Sequence, residues 1–344
     1  GTNCTITADP GHYSWAVKTN GVNAAAFGQG DTHYVCTFAN VTSDQTLVAE
    51  FETNAVARHW SDGYHSPGTN LVSCDFTYPT NRQLLSLKLE WAPSLPAGWT
   101  LDSASGDGDP QVTNGTEIVF TGSLTTNPIA FSYTVVAPAD ETGAKNIAAG
   151  VEYQLNGMIN PSTTEAIPDP LELKKLLALP NLTANDKTYD GTNTATIASY
   201  GDLSGVADGD DVTLDTSGAV AVFDDPLVGS DKTVTVGGLE LTGADADQYA
   251  ILDQTSTAAI TAKALTLPGL TANDKTYDGA LTATVSSYGD LNGVVAGDDV
   301  SLDTSSASAV FDTKTVGEDK TVTVNGLTLT GSDAGNYTLT QPAG

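Results

Sequence analysis

Basic residues are scarce in this sequence and acidic residues are not. Its 344 residues include 13 lysines and arginines against 42 aspartates and glutamates, which gives a formal net charge of -29. Such an acidic chain repels nucleic acid and anionic membranes, so we expect neither as a partner. No run of about 18 apolar residues is present, and membrane insertion is therefore not expected. Apolar residues still make up 40% of the chain, so it should fold.

Cysteines are few, and all three fall in the first quarter of the chain. They lack the Cys-x-x-Cys spacing of a zinc site and have no neighbouring histidine pair. Cys4 and Cys36 lie in strand-like stretches that could pair, so we predict a disulfide between them, with Cys74 left over. Three reduced thiols, buried as small apolar side chains, are the alternative.

Catalytic motifs are missing as well. The sequence has four histidines and contains no Gly-x-Ser-x-Gly elbow, no phosphate-binding loop and no Cys/His dyad. We therefore expect a protein that is not an enzyme and has no cofactor. Calcium is the one ion left open, because Asp-rich turns supply the oxygen ligands that it prefers, although solvated turns are the simpler interpretation. The weak candidates are Asp208, Asp210, Asp211, Asp298, Asp299, Asp107 and Asp109.

An internal repeat fills the C-terminal half. The decapeptide Leu-Thr-Ala-Asn-Asp-Lys-Thr-Tyr-Asp-Gly occupies residues 182–191 and recurs at 270–279, an offset of 88. Without any gap, residues 180–256 match residues 268–344 at 50 of 77 positions. A tandem duplication of one module explains this identity.

Apolar residues alternate within each copy. Val220 and Val222, then Val234 and Val236, show a period of two in runs rich in Thr and Val. This period predicts half-buried strands, about seven in each copy. Gly191 and Gly279 follow Asp and fit turns with a positive φ. We expect Tyr189 and Tyr277 to bury their rings while their hydroxyls find backbone partners.

These residues carry a resemblance to a known family. The order Lys-Thr-Tyr-Asp-Gly, Gly-Asp-Asp-Val, Lys-Thr-Val-Thr-Val and Leu-Thr-Gly-x-Asp-Ala-x-x-Tyr resembles the YDG/MBG repeats of large bacterial surface adhesins, over about residues 177–344. The resemblance implies a stalk module of a surface protein. In that family the individual repeats are not known as enzymes.

The N-terminal half carries two weaker resemblances. Residues 1–52 are similar to part of an InlB B-repeat module, although cysteines at 4 and 36 depart from its usual aliphatic or aromatic residues. Residues 53–170 look like the Ig-like β-sandwiches of secreted bacterial proteins, and short strands with Pro/Gly turns predict the same fold. Trp60, Trp91 and Trp99 either fill its core or form a sugar-stacking platform.

These patterns together predict an all-β fold. Small antiparallel β-sandwich or β-grasp-like modules follow one another like beads on a string, at residues 1–52, 53–170, 171–264 and 265–344. Residues 171–179 could form a short helix or a strand, and the repeat register favours the strand. By the same register, the second repeat lacks its last strand.

Unfinished modules at both ends predict strand addition between chains. We expect copies of the chain to join head to tail, and the contact candidates are Cys4, Thr5, Ile6, Thr7, Tyr337, Thr338, Leu339 and Thr340. A fragment trimmed from a longer modular protein is the alternative. The function that we expect is structural and adhesive, outside a bacterial cell. A carbohydrate- or calcium-binding module, or an accessory region of a larger secreted enzyme, is the competing interpretation.

Overall fold

A computed structural model gives the fold of the chain. It describes residues 55–158 and 160–340, except the side chains of residues 86 and 87, and only the strand backbones of residues 2–53. Nearly every described element is a strand, and the prediction of an all-β protein is confirmed. No described helix is long and apolar enough to cross a membrane.

Five strands precede residue 55. They are β1 (Thr2–Thr7), β2 (His12–Thr19), β3 (Val22–Ala26), β4 (His33–Phe38) and β5 (Leu47–Thr53). β1 pairs with β4 in one antiparallel sheet, and β2 pairs with both β3 and β5 in another. The register places Cys4 opposite Cys36. Directly opposed residues have Cα atoms about 4.5–5.5 Å apart, a separation that a disulfide can span. The disulfide itself stays a prediction.

Ten strands form a sandwich next along the chain. They are β6 (Val56–Trp60), β7 (Gly68–Thr77), β8 (Leu84–Ser94), β9 (Thr100–Gly106), β10 (Pro110–Thr113), β11 (Glu117–Phe120), β12 (Ile129–Ala137), β13 (Lys145–Leu155), β14 (Ser162–Ile167) and β15 (Leu171–Leu173). They are hydrogen-bonded in the order β10-β11-β8-β13-β14-β6-β7-β12-β9, and β15 pairs with β13. β14 pairs antiparallel with β13 and then parallel with β6, so it passes from one layer to the other.

Aromatic side chains from both layers fill the sandwich core. Strand β12 alternates buried and half-buried residues along most of its length, as expected for a strand with one face on a core. Its Phe131 meets Trp91 of β8 edge to face at 5.1 Å between ring centroids, and Phe120 of β11 at 5.0 Å. Trp91 and Trp99 are buried and Trp60 is exposed, so two of the three tryptophans fill the core. The Ig-like classification of this sandwich stays a prediction.

The first repeat consists of short strands. They are β16 (Lys175–Leu177), β17 (Thr183–Ala184), β18 (Lys187–Thr188), β19 (Ile197–Ser199), β20 (Thr213–Asp215), β21 (Val220–Phe223), β22 (Gly229–Gly237), β23 (Glu240–Thr242), β24 (Tyr249–Ile251) and β25 (Gln254–Thr261), with a 3₁₀ helix at Ala246–Gln248. The largest sheet has the order β18-β25-β22-β21. β15 and β16 confirm that residues 171–179 are extended.

The second repeat follows the same plan 88 residues later. Its strands are β26 (Lys263–Leu265), β27 (Thr271–Ala272), β28 (Thr282–Ala283), β29 (Val285–Ser287), β30 (Ser301–Asp303), β31 (Ser308–Phe311), β32 (Val322–Asn325), β33 (Thr328–Thr330) and β34 (Tyr337–Leu339), with a 3₁₀ helix at Ala334–Asn336. The sheet that corresponds to the largest sheet of the first repeat has three strands, in the order β28-β31-β32.

The chain divides into two compact units. The first comprises Gly1–Leu177, Gly205–Thr213 and Leu241–Ala250, and the second comprises Ala178–Ser204, Leu214–Glu240 and Ile251–Gly344. The second unit thus contains residues of both repeats. One buried cluster within it includes Val234 and Ile260 of the first repeat together with Leu265 and Tyr337 of the second.

Candidate functional site

A tyrosine–aspartate cluster lies in the second unit. One carboxylate oxygen of Asp298, Oδ2, accepts hydrogen bonds from the hydroxyls of Tyr189 at 2.9 Å and Tyr337 at 2.6 Å. The two rings pack edge to face with centroids 5.4 Å apart. We call Tyr189, Asp298 and Tyr337 the Tyr–Asp cluster. Both rings are almost completely buried, so these hydroxyls need the acceptor that Asp298 supplies.

Short turns position the three side chains. Tyr337 begins β34 directly after the 3₁₀ helix at Ala334–Asn336. Asp298 closes a tight turn in which its N–H donates to the carbonyl of Val295 at 3.2 Å. The N–H of Val295 in turn donates to the hydroxyl oxygen of Tyr337 at 2.9 Å. Tyr189 directly follows β18, and its N–H donates to the carbonyl of Thr261 at 2.8 Å. Backbone hydrogen bonds therefore fix the cluster from three sides.

The first repeat contains half of the same arrangement. The hydroxyl of Tyr249 donates to Oδ2 of Asp210 at 2.5 Å and accepts from the N–H of Ala207 at 3.1 Å. Tyr249 and Asp210 are the counterparts of Tyr337 and Asp298 at the 88-residue offset. In both copies, therefore, the tyrosine that begins strand β24 or its counterpart β34 is hydrogen-bonded to the Gly-Asp-Asp turn.

The complete cluster joins the two repeats. Tyr189 belongs to the first repeat, whereas Asp298 and Tyr337 belong to the second. A second hydrogen bond runs beside it, because the N–H of Val228 donates to the side-chain oxygen of Asn336 at 3.1 Å and Asn336 is buried. Specific hydrogen bonds within the second unit therefore hold the two repeats together.

Burial and charge raise the pKa of the cluster tyrosines. Desolvation, then the hydrogen bond to Asp298 and its negative charge, raise the pKa of Tyr189 to about 12. The pKa of Tyr337 is raised for the same reasons. Both hydroxyls therefore stay protonated as hydrogen-bond donors well above neutral pH.

We expect the second unit to lose stability as the pH rises from about 10 to about 12. An unfolded tyrosine loses its proton near pH 10, whereas folded Tyr189 holds it, so the unfolded state binds fewer protons over this interval. The stabilisation is complete below pH 10 and disappears as the pH passes the folded pKa. Urea unfolding followed by circular dichroism measures how steeply the free energy of unfolding falls with pH. This fall should be shallower in Tyr189→Phe and unchanged in Tyr277→Phe, whose ring is exposed. An equal fall in the two variants would contradict the role of Tyr189.

The predicted calcium ligands of the repeats hold turns in place. Asp210 and Asp298 accept tyrosine hydroxyls, as described above. Oδ2 of Asp211 accepts the N–H of Ala244 at 3.2 Å, and Oδ2 of Asp299 accepts the N–H of Ser332 at the same distance. Asp208 is exposed.

The two predicted calcium ligands in the sandwich also hold turns in place. Oδ2 of Asp107 accepts the N–H of Ala130 at 3.0 Å and the hydroxyl of Thr126 at 2.8 Å. Asp109 accepts the hydroxyl of Thr121 at 3.0 Å. Within residues 55–158 and 160–340, no group of three or more His, Cys, Asp or Glu side chains is arranged to hold a metal. Calcium binding stays a prediction.

The third cysteine lies inside the sandwich. Cys74 is buried and free, and burial raises the pKa of its thiol. A buried thiol with a raised pKa is a poor nucleophile, because the thiolate is the reactive form. Cys74 therefore acts as a small core residue.

The predicted polymer contacts fall on two strands, except Thr340, which directly follows the second of them. Cys4, Thr5, Ile6 and Thr7 lie in β1, whose side chains are outside the described residues. Tyr337, Thr338 and Leu339 form β34, which runs parallel to β26. The ring of Tyr337 is buried in the Tyr–Asp cluster, so only Thr338 and Thr340 of this group are exposed. A contact between chains through these residues stays a prediction.

One pair of sequence predictions gives different outcomes in the two repeats. Gly191 and Gly279 have φ of 79° and 78°, which confirms the predicted turns. Tyr189 is buried, but its hydroxyl donates to a carboxylate and not to the backbone. The prediction that Tyr277 is buried is wrong, because its side chain is 64% exposed. The docked second repeat covers Tyr189, and no described residue takes that place over Tyr277.

Comparisons with known proteins agree with the repeat assignment. A family model described as the YDG domain matches residues 173–258 and 261–344. No curated protein matches. Among solved structures, the major pilin subunit BcpA of Bacillus cereus, as its D312A form, is 7% identical with a TM-score of 0.31, over 70% of this chain and 85% of that chain. The full-length major pilin SpaD of Corynebacterium diphtheriae is 13% identical with the same TM-score, over 70% and 57%.

A DUF4466 family protein of Parabacteroides merdae is also similar, at 11% identity with a TM-score of 0.25. The match covers 52% of this chain and 64% of the other, so this chain spans less than two thirds of that structure. The docked contacts of the second unit lie within and between the segments that the family model matches. The C-terminal half of this chain therefore contains two successive segments that match the YDG domain.

Proposed function

We propose that this chain is a non-catalytic structural protein of a bacterial cell surface, a subunit of a stalk or filament in which copies join head to tail. The observation that carries the proposal is the docking of one repeat on the next through the Tyr–Asp cluster. Modules that bury polar contacts against their neighbours transmit force better than modules joined only by a flexible linker. This property suits a load-bearing extracellular element.

The composition and the family support the same role. The net charge of -29 keeps such an assembly soluble and discourages nonspecific association. Two YDG domains in tandem provide a regular spacing along the chain. Asp211 and Asp299 accept backbone N–H groups across turns, so they stabilise the modules.

Electron microscopy of the native secreted material tests the proposal. Uniform fibres with an axial repeat near one chain length are the expected result. Intact-mass measurement on the same material supplies the control, because fibres built from one subunit should give a single polypeptide mass. Isolated flexible particles would overturn the head-to-tail assembly.

A further inference from the structure

The sandwich presents one large aromatic side chain to solvent. Trp60 is 48% exposed, whereas Trp91 and Trp99 of the same sandwich are buried. It lies in β6, where the buried residues Ala57 and His59 alternate with more exposed ones. Successive side chains of a strand point to opposite faces, so Trp60 points away from the core. It therefore lies on the outer face of the layer that contains β6, β7, β12 and β9.

A row of serines continues from Trp60 across this layer. Trp60 lies opposite Ser73 of β7. Ser132 of β12 lies opposite both Ser73 and Ser105 of β9. Directly opposed residues share one face of a sheet, so these four side chains lie together on the outer face. Neighbouring strands are about 4.8 Å apart, so the row is about 14 Å long. We call Trp60, Ser73, Ser132 and Ser105 the Trp–Ser row.

The hydroxyls of this face keep hydrogen-bonding capacity for a ligand. A second row lies beside the first, because Thr134 of β12 lies opposite Ser103 of β9 and their hydroxyls are 2.7 Å apart. The hydroxyls of Ser105 and Ser132 are 3.4 Å apart. Among the described residues, the hydroxyl of Ser73 has no hydrogen-bond partner. Since a hydroxyl can donate one hydrogen bond and accept two, every member of the two rows can bind further groups.

Charge on this face disfavours an anionic ligand. The strands of the layer contain one lysine or arginine, Arg58, which forms an ion pair with Asp75 at 3.6 Å. Asp102 of β9 is exposed, and its carboxylate accepts the hydroxyl of Thr134 at 3.0 Å. The net charge of -29 adds a long-range repulsion for anions. The chemistry of the face therefore suits a neutral ligand that is rich in hydroxyl groups.

A sugar chain has this chemistry. The C–H groups on one side of a sugar ring can pack against an indole, while the ring hydroxyls exchange hydrogen bonds with serine, threonine and carboxylate oxygens. Binding sites for small polar ligands commonly combine aromatic contact area with a few placed polar groups. The serine side chains are small, so a chain that begins on Trp60 can continue along the row without obstruction.

We propose that the Trp–Ser row binds a neutral glycan with an extended, cellulose-like chain. One sugar ring stacks on Trp60, and the following rings lie along Ser73, Ser132 and Ser105. An extended chain fits because the row is straight and shallow. This binding function is additional to the proposed structural role and does not depend on assembly between copies.

A second copy of the chain suits the same face less well. Two such faces in contact would bring together two chains that each carry a net charge of -29. Protein interfaces usually have an apolar centre, whereas serine hydroxyls occupy the middle of this face. The glycan is therefore the occupant that the face favours.

The indole NMR signals of the full chain test the site directly. The isotope-labelled chain has four tryptophans, each with one indole N–H, and Trp60→Phe identifies the signal of Trp60 by its loss. The probes are cellohexaose, xylohexaose and mannohexaose at millimolar concentration. At least one of them should shift the signal of Trp60 in a saturable way and leave those of the buried Trp91 and Trp99 unchanged. If none of the three shifts the signal of Trp60, the proposal is overturned.

Substitutions in the row measure what each side chain contributes. The readout is the fluorescence anisotropy of the labelled hexasaccharide that binds. Trp60→Leu should weaken binding at least about tenfold, because a tryptophan at the centre of a contact commonly dominates its affinity. Trp60→Phe should retain more of the binding than Trp60→Leu, since it keeps an aromatic ring. Equal losses in these two variants would contradict stacking on Trp60.

A serine pair supplies the matched control. Ser73→Ala should weaken binding about threefold to tenfold, the usual net effect of losing one hydrogen bond. Ser94→Ala makes the same change at an exposed residue of β8, in the other layer of the sandwich, and should have no effect. Equal effects of the two substitutions would overturn the assigned face.

Two other results would give the face to a different partner. A shift of the Trp60 signal with protein concentration, but with none of the hexasaccharides, would assign it to a second copy. A shift with a lysine-rich peptide, but with none of the hexasaccharides, would assign it to a cationic protein, since indole and carboxylate groups both attract ammonium groups. Either outcome overturns the glycan proposal whether or not fibres are found, so its failure is distinct from failure of the head-to-tail filament.

Discussion

Trp91→Ala is expected to destabilise the first unit by about 3–5 kcal/mol, the usual cost of removing a large aromatic side chain from a core. Trp91 is fully buried and lies edge to face with Phe131, which also contacts Phe120. Its removal leaves a cavity where the two layers of the sandwich meet. All four tryptophans of the sequence, at 15, 60, 91 and 99, lie in the first unit, so tryptophan fluorescence during urea unfolding reports this unit.

Trp60→Ala is the matched control for this substitution. It makes the same chemical change in the same sandwich, but the side chain of Trp60 is 48% exposed. We expect a loss of at most about 1 kcal/mol, because an exposed side chain gives up little burial. Similar losses in both variants would show that the sandwich core is not built around Trp91.

Asp298→Ala is expected to destabilise the second unit by about 2–4 kcal/mol, because two nearly buried hydroxyls lose their acceptor. The affected groups are the hydroxyls of Tyr189 and Tyr337, which lie 2.9 Å and 2.6 Å from Oδ2 of Asp298. The two repeats should then open apart more often. Amide hydrogen exchange measures this, since protection should fall around Tyr189 and Val228 of the first repeat and Asn336 of the second.

Two further variants make the Asp298 experiment specific. Asp298→Asn keeps an oxygen acceptor in the same place and should recover most of the lost stability. Asp208→Ala removes an exposed aspartate from the corresponding turn region of the first repeat and should leave exchange unchanged. If Asp298→Ala leaves the exchange around Val228 unchanged, the cluster does not hold the repeats together.

The repeating sequence predicts the local structure of the YDG domains well. Alternation at Val220, Val222, Val234 and Val236 places strands where the structure has β21 and β22. The Asp-Gly turns at Gly191 and Gly279 follow from the freedom of glycine at positive φ. These features depend on residues close in sequence, so the pattern contains the information.

Contacts between repeats are harder to predict from the same pattern. Tyr189 and Tyr277 occupy identical decapeptides, yet one is buried and the other is exposed. The difference depends on what covers each tyrosine, and Asp298 lies 109 residues from Tyr189. The sequence does contain a hint of the tyrosine–aspartate hydrogen bond, because the Gly-Asp-Asp turn and the later tyrosine occur in both copies at the same separation. From sequence alone, however, this turn looks like any Asp-rich turn that could favour a calcium site.

The docking of the first repeat on the second also bears on how such a chain evolves. A repeat receives its successor through its Tyr-Asp-Gly turn and presents to its predecessor the aspartate and tyrosine of its later turns. Both halves of this joint are encoded within one module of 88 residues. Duplication of the gene segment therefore creates a fitting joint at once, without a second mutation to match it. The number of modules can change by whole units while the joint stays the same.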